Sequence, residues 1–109
     1  MIIILRSKAN DDALKKIAED LEGYIKVVVD VHRKICSAGG KMHADGEKVM
    51  LQDGSKQEDL WGGGLDLETG SIDFDSMINI RPRQGNTSRE VLDQKIRSQM
   101  EEVIRNLIR

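Results

Sequence analysis

Eight of the ten glycines fall in the middle third of this 109-residue chain, at positions 39, 40, 46, 54, 62, 63, 64 and 70. No other feature constrains the fold as much. Glycine weakens the interior of a helix or strand and is favoured where the backbone must turn. The middle is therefore expected to be cut into short pieces, with the longer regular elements on its flanks. Gly39-Gly40, Asp45-Gly46, Asp53-Gly54, Gly62-Gly63-Gly64 and Thr69-Gly70 read as turns or bulges. Between them, residues 48–52, 59–61 and 65–67 read as short strands of an antiparallel meander.

The flanks are periodic. Ile2-Ile3-Ile4-Leu5 is apolar on both faces, which predicts an interior strand covered on both sides. Asn10 or Asp11 caps a helix whose stripe is Leu14, Ile17, Ala18 and Leu21, and Gly23 ends it. Residues 24–32 alternate, with Ile25, Val27, Val29 and Val31 on one face and Lys26, Val28, Asp30 and His32 on the other. Residues 72–81 form the longest alternating run, stopped by Pro82. After a polar loop at residues 83–88, a last helix starts between Ser88 and Asp93. Its stripe is Leu92, Ile96, Met100, Val103, Ile104 and Leu107, and Arg105 and Arg109 suit its C-terminal dipole. The expectation is one α+β domain over residues 1–109. Its sheet is mostly antiparallel, in β-α-β-meander-α order, with two helices packed on one side.

Composition narrows the function classes. With 39% hydrophobic and 33% charged residues the chain has the balance of a folded domain rather than a disordered one. No apolar run approaches the ~20 residues that span a bilayer, so no membrane association is expected. The single cysteine, Cys36, precludes an internal disulfide and points to a reducing cytoplasm. Cys36 sits beside Ile35 and near Ala38, as a buried small hydrophobe would. Residues 41–80 are net acidic and residues 81–109 net basic, but the sequence pI near 5.7 offers no strong field to a polyanion. The asymmetry reads best as two segments that sit against each other.

Two polar blocks stand out. The first is Gly39-Gly40-Lys41-Met42-His43-Ala44-Asp45-Gly46-Glu47, continued by Asp53-Gly54-Ser55-Lys56-Gln57-Glu58-Asp59-Leu60-Trp61-Gly62. The second is Ser76-Met77-Ile78-Asn79-Ile80-Arg81-Pro82-Arg83-Gln84-Gly85-Asn86-Thr87-Ser88. Through these blocks, over nearly its whole length, the chain resembles a small prokaryotic family known only as a domain of unknown function. The resemblance implies no activity.

The blocks hold the residue types that chemistry needs. His43, Glu58, Asp59 and Arg81 are the candidate catalytic set. A carboxylate can act as general base, imidazole as general acid, and guanidinium can clamp a phosphate bidentately. Asp45, Asn79, Arg83, Asn86 and Ser88 are the candidate ligand-binding residues. Residues 81–88 could cradle an anion where a loop runs into a helix N-terminus, or could cap that helix through Thr87 or Ser88. His43-x-Asp45, Asp30-x-His32 and Asp73-x-Asp75 have strand spacing, yet no His-x-x-x-His or Cys-x-x-Cys pattern supports a metal, and none is expected. No cofactor motif is present: Gly39-Gly40-Lys41 lacks the frame of a phosphate-binding P-loop.

Three functional readings follow. The first is a site for a small anionic ligand, phosphate-containing in particular, with or without hydrolysis. The second is a non-catalytic interaction domain whose partner is another protein or a second copy. The third is a nucleic-acid binder or metal-independent ribonuclease. It needs Arg83, Arg89, Lys95, Arg97 and Arg105 in one patch. Residue types alone do not decide between catalysis and binding.

Overall fold

The computed structural model describes all 109 residues. Strand β1 (Ile2–Leu5) is followed by helix α1 (Asp11–Ala18), then β2 (Tyr24–Asp30) and β3 (Ile35–Gly39). Helix α2 (His43–Gln52), β4 (Leu60–Asp66), β5 (Ile72–Asp73) and helix α3 (Gln94–Leu107) complete the chain. The five strands form one antiparallel sheet in the order β1-β3-β2-β4-β5. The molecule is α+β, as its sequence implies.

Both faces of the sheet are covered, unequally. Ile25, Val27 and Val29 of β2 point to one side with Cys36, Ala38 and Leu65. There they meet Ile17 of α1 and Met100, Val103, Ile104 and Leu107 of α3. The alternate residues of the central strands point to the other side, where Val28, Ile35 and Leu60 pack on Met50 of α2. Asn10 caps α1 by accepting from Ala13 N at 2.8 Å, and Asp93 caps α3 by accepting from Lys95 N at 2.8 Å. These caps satisfy amides that would otherwise lack partners.

The middle of the chain departs from a pure meander. Residues 48–52, expected as a strand, belong to α2 instead. The Asp45-Gly46 pair looks like a turn, but Gly46 lies inside the helix and is what lets it dock. A Cβ there would lie 2.7 Å from Ser37 Oγ and 3.1 Å from Val28 Cγ2. The inward stripe of α2 is His43, Gly46, Glu47 and Met50, at i, i+3, i+4 and i+7. Only one of the four is a large hydrophobe, so hydrophobic periodicity does not reveal the helix.

Residues 59–61 and 65–67 are not separate strands. The glycine triplet between them runs straight through β4, paired with β2 from Leu60↔Asp30 to Asp66↔Tyr24. The glycines leave room for neighbours on the sheet: a Cβ on Gly62 would lie 2.7 Å from Ser76 Cβ, and one on Gly64 would overlap the Tyr24 ring. Of the alternating run 72–81, only Ile72–Asp73 is strand. The rest of the run is irregular apart from the 3₁₀ turn Met77–Asn79, and a second 3₁₀ turn, Pro82–Gln84, follows it. β1 is covered on both faces, but it lies at the edge of the sheet, paired only with β3. β2 stops at Asp30, whose carboxylate accepts from His32 N and Arg33 N and so shapes the turn into β3.

Candidate functional site

A cleft of about 290 Å³ opens on the α2 side of the sheet. Its walls are the first turn of α2, the start of β2 and the segment that follows β5. Met42, His43, Tyr24, Lys26, Asp75 and Met77 contribute most of the side chains that matter.

His43 is the first residue of α2, and its ring folds down onto β4. Nε2 lies 2.7 Å from the Gly63 carbonyl oxygen. A carbonyl only accepts, so Nε2 carries the hydrogen and Nδ1 keeps its lone pair. Burial holds the imidazole below its ordinary pKa, the Gly63 carbonyl partly opposing this, with the Lys26 ammonium adding to the lowering. The ring is therefore neutral at pH 7, a proton acceptor at Nδ1. Lys26 enters no ion pair. Met42, at the N-cap of α2, supplies no side-chain cap, so the positive end of the helix faces the cleft without an acceptor side chain.

On the opposite wall, Tyr24 Oη donates to Asp73 Oδ2 at 2.7 Å. Burial and this carboxylate push the phenol well above its usual range. Arg89 Nε donates to Asp75 Oδ1 at 3.1 Å, which neutralises that pair. Met42 and Met77, 58% and 65% exposed, form a soft apolar rim.

A second cluster, built from the 76–88 block, is consumed by backbone. Asn79 is fully buried: its Oδ1 accepts from Gly62 N at 2.8 Å, and its Nδ2 faces the carbonyls of Gly62, Phe74 and Arg89. Asn86 Nδ2 donates to the carbonyls of Asn79, Ser88 and Glu90, and its Oδ1 accepts from Leu92 N. Arg81 donates through Nε to Ile78 O and through its two terminal nitrogens to Gln57 O and Leu60 O, with the guanidinium over the Trp61 indole. Burial lowers the Arg81 pKa, and the Glu47 carboxylate opposes that. Oε2 of Glu47 is the one buried side-chain polar atom without a hydrogen-bond partner.

Residues 3–107 match the family described as "Protein of unknown function (DUF5674)". The chain belongs to this family. The match bears out the resemblance to a family without an assigned activity. No curated protein and no solved structure matches the chain.

In this DUF5674 member the sequence-selected residues divide between places. His43 lines the cleft. Asp45 is exposed on the first turn of α2. Glu58 and Asp59 lie in the 3₁₀ turn Gln57–Asp59 that leads into β4, and Glu58 is exposed. Arg81, Asn79 and Asn86 serve as a backbone scaffold, and of the three Arg81 reaches that turn, through Gln57 O. Arg83 is exposed in the turn Pro82–Gln84. Ser88 Oγ accepts from Glu90 N, five residues ahead of the α3 cap. The 81–88 loop therefore does not run into a helix N-terminus, contrary to both the anion-loop and the capping expectation, and Asp93 rather than Thr87 or Ser88 caps α3. It closes on itself through paired backbone bonds between Arg81 and Asn86.

Sequence reasoning did not assign Tyr24, Lys26, Met77 or Arg89 to the ligand site. A signal for two of them exists: Tyr24 and Lys26 share the face of β2 that carries Val28. Of the five basic residues required for a polyanion patch, Arg89, Arg97 and Arg105 are each paired with a carboxylate, of Asp75, Glu90 and Glu101. Cys36 is fully buried, and desolvation pushes its thiol up to about 12. No group of three or more His, Cys, Asp or Glu side chains is placed to hold a metal ion, and no helix is long and apolar enough to cross a membrane.

Proposed function

We propose that this protein binds a small anionic ligand, a phosphate or a carboxylate, in the cleft at the start of α2. One observation carries the reading. The unpaired Lys26 ammonium, the uncapped end of α2 and the free Nδ1 of His43 line the same concave site. A cation and a helix N-terminus both stabilise negative charge, and the neutral imidazole can accept a hydrogen bond from a protonated ligand oxygen or a water. The methionine rim suits a ligand with an apolar portion. The same Nδ1 lone pair is the group a hydrolytic step would use as general base, so hydrolysis is the second reading. A reducing, cytoplasmic setting is part of the proposal, supported by the lone buried Cys36.

The test is an amide-resolved NMR titration with inorganic phosphate, phenyl phosphate and benzoate, on wild type and on Lys26→Met. Saturable shifts clustered at Lys26, His43 and Ala44, weakened at least tenfold in the variant, are expected. A flat response to all three probes, or shifts centred on residues 81–88, would remove the reading.

A further inference from the structure

The two edges of the sheet are finished differently. Beyond β5 the chain folds back over its own border. Asp75 bridges Glu90, Ser76 N donates to Arg89 O at 3.0 Å, and Val91 N donates to Phe74 O at 3.0 Å. The β1 edge has no such cover. β1 pairs with β3 on one side, and no backbone hydrogen bond reaches it from any turn or loop. In an antiparallel strand alternate residues direct N–H and C=O to opposite sides, so half of the β1 backbone groups face away from the sheet. Edge strands are ordinarily guarded by proline, a bulge or an inward charge. Ile2-Ile3-Ile4-Leu5 has none of these, and Ile2, Ile3 and Ile4 are only partly buried.

We infer that β1 is a self-pairing edge, through which two copies of the chain join into one continuous antiparallel sheet. The occupant follows from the symmetry of the strand. A twofold axis relating antiparallel edge strands stands perpendicular to the sheet, so both α2 faces lie on the same side and only residues of equal parity meet. In one register Ile3 faces the partner's Ile3 and Ile2 faces the partner's Ile4. In the other, Ile4 faces the partner's Ile4 and Ile3 faces the partner's Leu5. Each central pair sets aliphatic against aliphatic, the kind of cross-strand contact that stabilises sheets. The strand is thus its own complement on both faces. The first register is the better one, because the second sets Ile2 opposite Arg6, which Asp53 already holds at 2.5 Å. This inference stands independently of the ligand cleft.

Sedimentation across a concentration series, with hydrogen–deuterium exchange of the β1 amides, tests it on the unmodified chain. A dimer is expected, with all β1 amides protected and the outward-facing ones losing protection on dilution. Ile3→Cys is expected to cross-link two copies under mild oxidation, while Ile4→Cys is not. The reverse result would keep the inference and select the second register. A monomer at every concentration overturns it. So does a dimer whose β1 amides ignore dilution, or cross-linking at neither or both cysteine positions.

Discussion

The guanidinium of Arg81 lies over the indole of Trp61, its Cζ 4.5 Å from the ring centroid, while the same group donates to the carbonyls of Gln57, Leu60 and Ile78. One side chain thereby ties the 3₁₀ turn before β4, the strand itself and the turn that follows β5. A flat cation with donors along its rim is the only side chain that can stack and bridge in this way.

Arg81→Lys is therefore expected to destabilise the fold by about 3 kcal/mol, since lysine keeps the charge but loses the fork and leaves carbonyls unpaired. Urea unfolding would measure it. A loss below about 0.5 kcal/mol would mean that the carbonyls find water instead.

Asn79 is matched to its neighbours by chemistry rather than size. Its Nδ2 faces three carbonyls. Asn79→Asp is nearly isosteric but sets a buried carboxylate against them, so a loss of about 4 kcal/mol or an unfolded product is expected. Thermal unfolding beside Asn79→Ser, which carries no charge, separates repulsion from the lost bonds.

Gly46 inverts the usual helix rule. Alanine in place of a helical glycine ordinarily stabilises by about 1 kcal/mol. Here the added methyl would press on Ser37 Oγ and Val28 Cγ2. Gly46→Ala is expected to destabilise by about 1 kcal/mol net, and Ser37→Ala in the same chain to restore part of the loss. Denaturant midpoints of the two single variants and the double variant decide it.

The pH dependence of stability carries the signature of His43. Its folded-state pKa lies below the ordinary 6.5, chiefly through burial. The unfolded chain then binds the proton more readily, so stability is fully present above the unfolded pKa and falls as the pH drops from there toward the folded one. Wild type is expected to lose stability in that window and His43→Gln to lose less. Matching stability profiles for the two would place the His43 ring in water.

Legibility of the sequence followed its hydrophobic periodicity. β2, α1 and α3 are readable because Ile25, Val27 and Val29, or Met100, Val103 and Ile104, repeat at the spacing of their elements. α2 is not, because its inner face carries His43, Gly46 and Glu47 where large hydrophobes would mark a helix. The glycine triplet misleads for the same reason: it serves tertiary proximity to Ser76 and Tyr24, not a turn. For the site, polar residue types were visible, but their division was not. Asn79, Arg81 and Asn86 have the composition of a binding loop, and only three-dimensional partners show them facing backbone carbonyls. Of the candidate catalytic and ligand-binding residues, His43 alone stands in the cleft.

The asparagine pair has a further consequence, for motion. Asn79 reaches Gly62 in the middle of the sheet, and Asn86 in turn holds the carbonyl of Asn79 and the amide of Leu92, just before α3. The irregular chain between β5 and α3 is thus fastened at its centre rather than only at its ends. It has little to gain by opening alone, since release of either side chain strands several buried groups at once. This segment should melt together with β4 as one cooperative unit, and regular secondary structure would be a poor guide to which parts of the molecule are rigid.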